Sequence, residues 1–357
     1  LPRADLAQLP ADIAEACHQV SFVRLAPPGP GHRRAWTEPD ELVWGWAPLQ
    51  QALKAETVGS YDHLHVFRLR LMPVWCELLQ LGWSARRVVL DLDDIESRAV
   101  WRGVLSGYRR LGLRTSLAQL LEAARLRVAE DRAARAADVV LACSSSDQVV
   151  LRRRWPGVRV DVVPNVVVAR EAGDYVHALP LRLLFVGSLF YQPNVDAVNW
   201  IVDELVPALQ RAGLPHRLTI AGRSPPANLS ARVKSVPGLE LLADAPDLAP
   251  VYEACQIVLC PIRSGGGTRI KVLEALSFAR PVVSTRVGSE GLALKHGVDV
   301  LYAESAEEFV VQIQRLQDDA ALARRLAQQG LARVQEEYSL ASLQQRLSRA
   351  HGCTAAA

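Results

Sequence analysis

Short apolar runs alternate with longer stretches of helical periodicity through the second half of the chain. R-L-L-F-V-G ending at Gly187, R-L-T-I-A-G ending at Gly222, L-E-L-L from Leu239, the apolar Q-I-V-L-C-P from Gln256, P-V-V-S-T from Pro281 and D-V-L-Y-A from Asp299 read as strands. Between them the spacing predicts a helix over Asn194–Arg211, a loop around Pro225 and Pro226, and a short helix over Asp247–Cys255, with amphipathic helices to the end. The first half shows the same rhythm more weakly. Strands are predicted at His63–Arg68, Arg87–Leu92, Val139–Cys143 and in V-R-V-D-V-V-P-N, with a long helical region ending near R-A-A-R-A-A-D. Alternation of this kind argues for parallel sheets covered on both faces. Periodicity fades from Val166 to Pro180, which is read as a linker between two domains, 1–170 and 171–338. The first eighteen residues look helical, Gln19–Leu25 reads as a strand, and residues 26–60 are rich in Pro, Gly and Trp. An α/β domain normally opens on a strand, so the sequence is expected to begin inside a longer chain.

The stretch R-S-G-G-G-T-R-I-K-V-L-E-A-L-S-F-A-R-P, from Arg263 to Pro281, carries the most chemistry. Three glycines run into a predicted helix that Thr268 would cap. Val272, Leu273 and Leu276 would form its buried stripe, with Lys271 and Glu274 on the roughly opposite face. Its first turn holds Arg269 and Lys271 but no acid, although a helix start is itself partly positive. An anion would offset that cost, and the amides of Gly265, Gly266, Gly267 and Thr268 could cradle a phosphate. A flexible loop followed by solvated cations is the competing reading. In the first half, Asp93, Asp94 and Glu96 gather where a strand should end, either lining a ligand site or favouring the start of the next helix. Ser144 and Ser145 could line the same cleft or cap a helix, and His63 and His65 on one side of a strand read as packing residues.

Composition narrows the class. The chain has 357 residues, half of them hydrophobic and 22% charged, as in ordinary globular proteins. Residues 1–170 carry 23 Lys plus Arg against 19 Asp plus Glu, while the remainder carries 18 against 19. Such an excess is far too small to argue for a nucleic-acid partner; it would suit loose contact with an anionic membrane surface, with an arginine-rich solvated face as the default reading. No apolar run is long enough to span a membrane, and no signal peptide is visible at the start of this sequence. Cys17, Cys76, Cys143, Cys255, Cys260 and Cys353 form no C-x-x-C pair and read as free thiols, in keeping with a cytoplasmic protein.

Five motifs recur in a set order: V-V-P-N (Val162–Asn165), L-F-V-G-S (Leu184–Ser188), I-A-G-R (Ile220–Arg223), P-I-R-S-G-G-G-T-R-I-K-V-L-E-A-L (Pro261–Leu276) and R-P-V-V-S-T-R-V-G-S-E-G (Arg280–Gly291). Together they resemble the retaining glycosyltransferases of group 1, in the branch with a G-G-G-T-x-x-K motif. The resemblance implies an α/β protein with two Rossmann-like domains facing across a cleft, the GT-B fold. The second domain would bind a nucleotide-diphosphate sugar donor, and the first a glycan or lipid-linked acceptor. Residues 339–357 would form a helix returning to the first domain. Glu274 matches the second acid of the family's glutamate pair, which accepts hydrogen bonds from the ribose hydroxyls. The first acid would fall at Gly266 and is absent. The family's usual Arg and Lys after the first donor-domain strand are also missing from G-S-L-F-Y-Q-P-N. Arg269 and Lys271 can replace them, joined by Gly187, Ser188 and Arg223 in the donor site. Arg68, at the cleft end of its strand, and Asp94 are the first-domain candidates for catalysis. No cofactor is implied, and no metal, since D-x-D occurs only at Asp91–Asp93 in the acceptor half. A nucleotide-sugar epimerase of this fold and a non-catalytic nucleotide-sugar-binding protein are the alternatives.

Overall fold

The computed structural model describes Pro39 and residues 58–168, 170 and 179–352. The features expected before Val58, and residues 171–178 of the expected linker, lie outside the described residues, as do Cys17 and Cys353.

Two all-parallel sheets organise the chain. The first holds β1 (Ser60–Phe67), β2 (Ser84–Asp91), β3 (Val139–Ala142) and β4 (Arg159–Val162), in the order β1-β2-β3-β4. Its register runs Val66 to Leu90, Leu90 to Val140 and Val140 to Val160, which places a row of buried apolar side chains across one face. Leu126 and Ala133 of a long helix, α3 (Leu113–Arg135), and Leu151 of α4 (Ser145–Arg154) cover that row. The crossover from β2 to β3 also includes α2 (Glu96–Leu111), and α1 (Met72–Gln80) joins β1 to β2. The long helical region expected here is thus two helices, parted at Gly112, whose φ of 74° a residue with a side chain rarely adopts. Among the described residues this core holds one charged group, Glu130, fully buried and bonded to the Ser97 amide and hydroxyl and to Arg154.

The second sheet contains β5 (Leu181–Val186), β6 (His216–Gly222), β7 (Leu239–Ala243), β8 (Ile257–Cys260), β9 (Val282–Ser284) and β10 (Leu301–Tyr302). Their order is β10-β9-β8-β5-β6-β7. All of β8 and all of β5 except Arg182 are buried, which is why these strands read as unbroken apolar runs. The chain builds outward from β5 through β6 and β7, then returns to build outward again from β8. The order therefore reverses between β5 and β8, and ligands bind at such a reversal, beyond the carboxyl ends of the strands. Gly187 and Ser188 follow β5 there, and the triple glycine follows β8.

Helices flank this sheet: α5 (Gln192–Trp200), α6 (Val206–Arg211), α7 (Ala227–Lys234), α8 (Ala249–Ala254), α9 (Ile270–Ser277), α10 (Ala306–Asp318) and α11 (Ala320–Glu337). A π-helical turn, Ile201–Leu205, links α5 and α6 into the long helix expected from Asn194. Two helices escaped the sequence pattern. Of these, α7 has only eight residues and follows Pro225 and Pro226, which looked like loop although proline is tolerated at a helix start. In α1, nine residues with a proline in the first turn gave no clear period. Only Leu301 and Tyr302 of D-V-L-Y-A pair as a strand.

The last helix, α12 (Leu340–His351), crosses to the first sheet, where Leu343, Leu347 and Ala350 pack on Val89, Val139, Leu141 and Val163. At the crossing, the Val167 amide donates to the Tyr338 carbonyl over 3.0 Å. His65 and His351 stack at its far end, 5.4 Å between ring centres. Among the described residues no helix is long and apolar enough to cross a membrane.

Candidate active site

The glycine stretch lies at the strand-order reversal. Gly265 (φ 101°) and Gly267 (φ 76°) turn the loop, and α9 begins at Ile270. Val272, Leu273 and Leu276 are fully buried against the sheet. Thr268 does not cap this helix. Arg269 occupies the N-cap position without a side-chain cap bond, one residue beyond Thr268.

Arg269 and Lys271 do not extend into water. Arg269 is 7% exposed, and its guanidinium donates to the carbonyls of Ser264, Gly265, Gly266 and Val287 at 2.9–3.4 Å. It binds the loop from behind and fixes its shape. With these carbonyls turned to Arg269, the amides of Gly265, Gly266, Gly267 and Thr268 donate no hydrogen bond among the described residues. Lys271 reaches toward the end of β5. Its ammonium donates to Asn194 Oδ1 over 2.6 Å and lies 4.9 Å from the centre of the Phe185 ring. Asn194 is itself held by the Ser188 carbonyl at 2.9 Å. A Cβ on Gly187 would stand 2.8 Å from both the Lys271 ammonium and Asn194, so only glycine lets the cation approach the strand end. Burial pushes the Lys271 ammonium down to about 8, and Arg269 adds to the depression. No carboxylate lies within ion-pair distance of it among the described residues. Partly desolvated positive charge beside a loop with free amides is chemically able to hold an anion.

Next to it opens a cleft of about 470 Å3, lined by Arg223, Asp247, Tyr252, Ile270, Glu274 and Phe278 among others. Tyr252 donates its hydroxyl to Glu274 Oε2 at 2.9 Å, which fixes the carboxylate toward the cleft. Tyr252 stacks on Phe278 at 4.9 Å, and Arg170 covers the Phe278 ring at 4.4 Å. The first sequence position of the expected glutamate pair, Gly266, faces the other domain. A Cβ there would stand 2.8 Å from Asp94 Oδ2 and 3.0 Å from the Ala99 Cβ. Asp94 thus reaches across the cleft to the glycine loop. Burial, with the Asp147 charge behind it, raises its carboxyl to about 6.

The acidic cluster divides by role. Ile95, not an acid, is the N-cap of α2, and only Glu96 lies in its first turn. Of the two readings of this cluster, capping by Asp93 or Asp94 does not occur: Asp93 has a left-handed backbone (φ 56°), and the Asp94 carboxylate lies against the glycine loop. Asp93 pairs with Arg68 at 2.7 Å and accepts from Asn165 at 3.2 Å. Arg68 shares the unusual backbone (φ 70°) at the end of β1. Asp91, the other acid of D-x-D, faces His65 at 3.5 Å, so the two carboxylates have different partners. Ser144 caps α4, accepting from the Asp147 amide, and also lines a second interdomain cavity of about 230 Å3. His63 and His65 pack against His351. Sequence reasoning passed over Asn194 and Tyr252, which orient Lys271 and Glu274. Neither belongs to a pattern that names it, and both act only through the fold.

Residues 180–319 match the family described as Glycosyl transferases group 1. An uncharacterized 44.6 kDa protein in the cps region of Klebsiella pneumoniae is 26% identical over 164 residues, 44% of this chain and 42% of that protein. The match spans under half the length of that relative. The sucrose-phosphate synthase of Thermosynechococcus elongatus is 18% identical with a TM-score of 0.63, over 85% of this chain and 75% of that one. HepE of Anabaena, solved with UDP, is 16% identical with a TM-score of 0.61, over 86% of this chain and 81% of that one. Both likenesses show the fold. Residues 180–319 are thus similar to group 1 glycosyl transferases, within a two-domain GT-B architecture.

Proposed function

We propose that the protein transfers a hexose-like sugar from a nucleoside-diphosphate donor to a glycan or lipid-linked acceptor. The observation that carries this is Lys271: a largely desolvated, half-buried ammonium with no carboxylate in ion-pair distance among the described residues, beside a loop whose amides donate no bond there and next to a nucleoside-sized cleft that ends on Glu274. The diphosphate spans Lys271 and the loop amides, and the Glu274 carboxylate, oriented by Tyr252, accepts from the ribose hydroxyls. As the bond from the anomeric carbon to the diphosphate breaks, negative charge grows on the leaving oxygen, and preorganised donors stabilise it. Lys271 and the amides supply that charge stabilisation from the chain itself, so the reading includes no metal. Arg269 acts by shaping the loop and by its field. We read residues 1–170 as the acceptor side, 171–338 as the donor side and 339–357 as the returning segment. Retention of anomeric configuration is carried by the family likeness. The relative's place in a cps region supports a role in polysaccharide synthesis, and we extend the reading to a glycan or lipid-linked acceptor at the inner face of a membrane. The UDP and UDP-glucose complexes of HepE support the donor class.

A thermal-shift screen of uridine, guanosine and adenosine diphosphates tests the reading, since selective binding raises apparent stability. One base is expected to stabilise the protein, and Glu274→Ala to lower affinity for its ribose form more than for its 2′-deoxy form. Failure of every diphosphate to bind would overturn the proposal. Turnover of the donor sugar without acceptor would favour an epimerase instead.

A further inference from the structure

Glu290 lies in the last of the five motifs, yet donor binding gives it no task. It follows the turn Val287–Ser289 after β9 and projects from the second domain onto α2 of the first. Arg102 grips it with two parallel bonds, 2.7 and 2.8 Å, and Arg98 lies 3.9 Å away. Arg98 is in turn held by Asp147 at 2.9 Å, and Asp147 by the Ser144 hydroxyl at 2.6 Å. Burial alone would raise the Glu290 carboxyl, but its bonds to Arg102 and the charges of Arg102 and Arg98 hold it below the usual range. The neighbouring residue continues the dock. Gly291 has φ 85°, and a Cβ there would meet Ser144 at 3.3 Å.

The spacing on α2 explains what this dock achieves. Asp94, Arg98 and Arg102 fall four residues apart, on one face and its extension before the helix start. Fixing the two arginines therefore fixes where Asp94 stands. Asp94 stands against Gly266 and Gly267, 2.8 and 3.5 Å from where their Cβ atoms would be. The gap left between Asp94, Arg98, Glu290 and the loop is only about 20 Å3, room for a single water. A sugar cannot stand between Asp94 and the loop without the two faces parting.

We propose that Glu290 is a positioning residue: clasped by Arg98 and Arg102, it draws the first domain closed and seats Asp94 over the glycine loop, where Asp94 faces the sugar of the bound donor. This rests on the sugar-transfer reading of the same site. The bracket releases to admit the donor and re-forms to complete the site. A bidentate arginine–carboxylate pair has the directional geometry for such a latch.

The full chain tests this with Glu290→Gln, Arg102→Glu, and the charge swap Glu290→Arg with Arg102→Glu. In Glu290→Gln, small-angle scattering is expected to give a larger radius of gyration than wild type. Affinity for the selected nucleoside diphosphate stays within a factor of about two, while kcat falls roughly 100-fold, the scale of a 1 Å misplacement. The swap restores both compactness and rate. The acid limb of kcat, set by Asp94 amid Asp93, Asp147, Arg102 and Arg269, moves in Glu290→Gln from about 6 toward the ordinary carboxylate range as the group regains water. Unchanged scattering, or a swap no better than either single variant, overturns the bracket. If the wild type binds no nucleoside diphosphate, the sugar-transfer reading falls and the catalytic part of this proposal with it, while scattering still decides the bracket.

Discussion

Lys271→Met is the sharpest perturbation available, because it should improve the fold while disabling the site. The ammonium is held at about 8 against 10.5 for a free lysine, so the fold disfavours its charged form. That difference corresponds to roughly 1–3 kcal/mol at neutral pH once partial exposure is allowed for. Methionine has similar volume, keeps the contact with Phe185 and carries no charge to desolvate. Urea denaturation of the unliganded protein at pH 7 should therefore show the variant more stable by on the order of 1 kcal/mol or more, offset in part by the unpaired Asn194. The sign can be followed with pH. Between about 8 and 10.5 the unfolded chain binds more protons at this lysine than the native state does. Wild-type stability thus rises relative to the variant through that window, and the gap closes. Calorimetric titration should show the variant losing affinity for the nucleoside diphosphate by tenfold or more, with little loss for the bare nucleoside. A variant less stable than wild type, with equal losses for both ligands, would refute the claim that Lys271 is kept as a buried charge for phosphate.

The same group sets the pH dependence of binding. Nucleoside diphosphate affinity should be flat below about pH 8 and weaken by up to tenfold per pH unit above it, because free Lys271 must then take up a proton to bind; titrations at stepped pH read this directly. In Gly266→Ala the new methyl would collide with Asp94 and Ala99, so transfer should fall about tenfold or more while diphosphate affinity holds, measured by steady-state kinetics beside calorimetry. Arg154→Leu leaves fully buried Glu130 without its cation and should cost about 3–5 kcal/mol in urea denaturation, whereas the exposed pair of Arg211 with Glu307 should contribute under about 1 kcal/mol when cut.

The donor half was legible because burial on both faces leaves a plain mark. All of β8 is apolar and all of it is buried, and the stripe Val272, Leu273 and Leu276 meets the sheet as its spacing requires. Glycine was informative where another group needed its space, as at Gly187 under Lys271. Other features were hidden because their partners are remote in sequence. Nothing near Asp94 says that it will meet Gly266, and nothing near Lys271 names Asn194. The cap expected at Thr268 fell one residue short of the helix start at Arg269, and the two readings of Asp93 and Asp94 could not be separated because the partners that decide between them are remote in sequence. The first domain read less clearly because its edge strand β1, S-Y-D-H-L-H-V-F, is mostly exposed and interleaves polar with apolar residues.

The hydrogen bond between Val167 and Tyr338 has a mechanical meaning. The polypeptide passes between the halves twice, outward through the segment holding Val167 and homeward just after Tyr338, and this contact ties the two passages side by side. Two adjacent straps define a pivot line, so the halves can swing about that line while sliding and twisting are resisted. Severing the homeward strap, by proteolysis or by truncation before Ser339, would turn a one-axis swing into a loose tether and lift the cover from Val89, Val139 and Leu141.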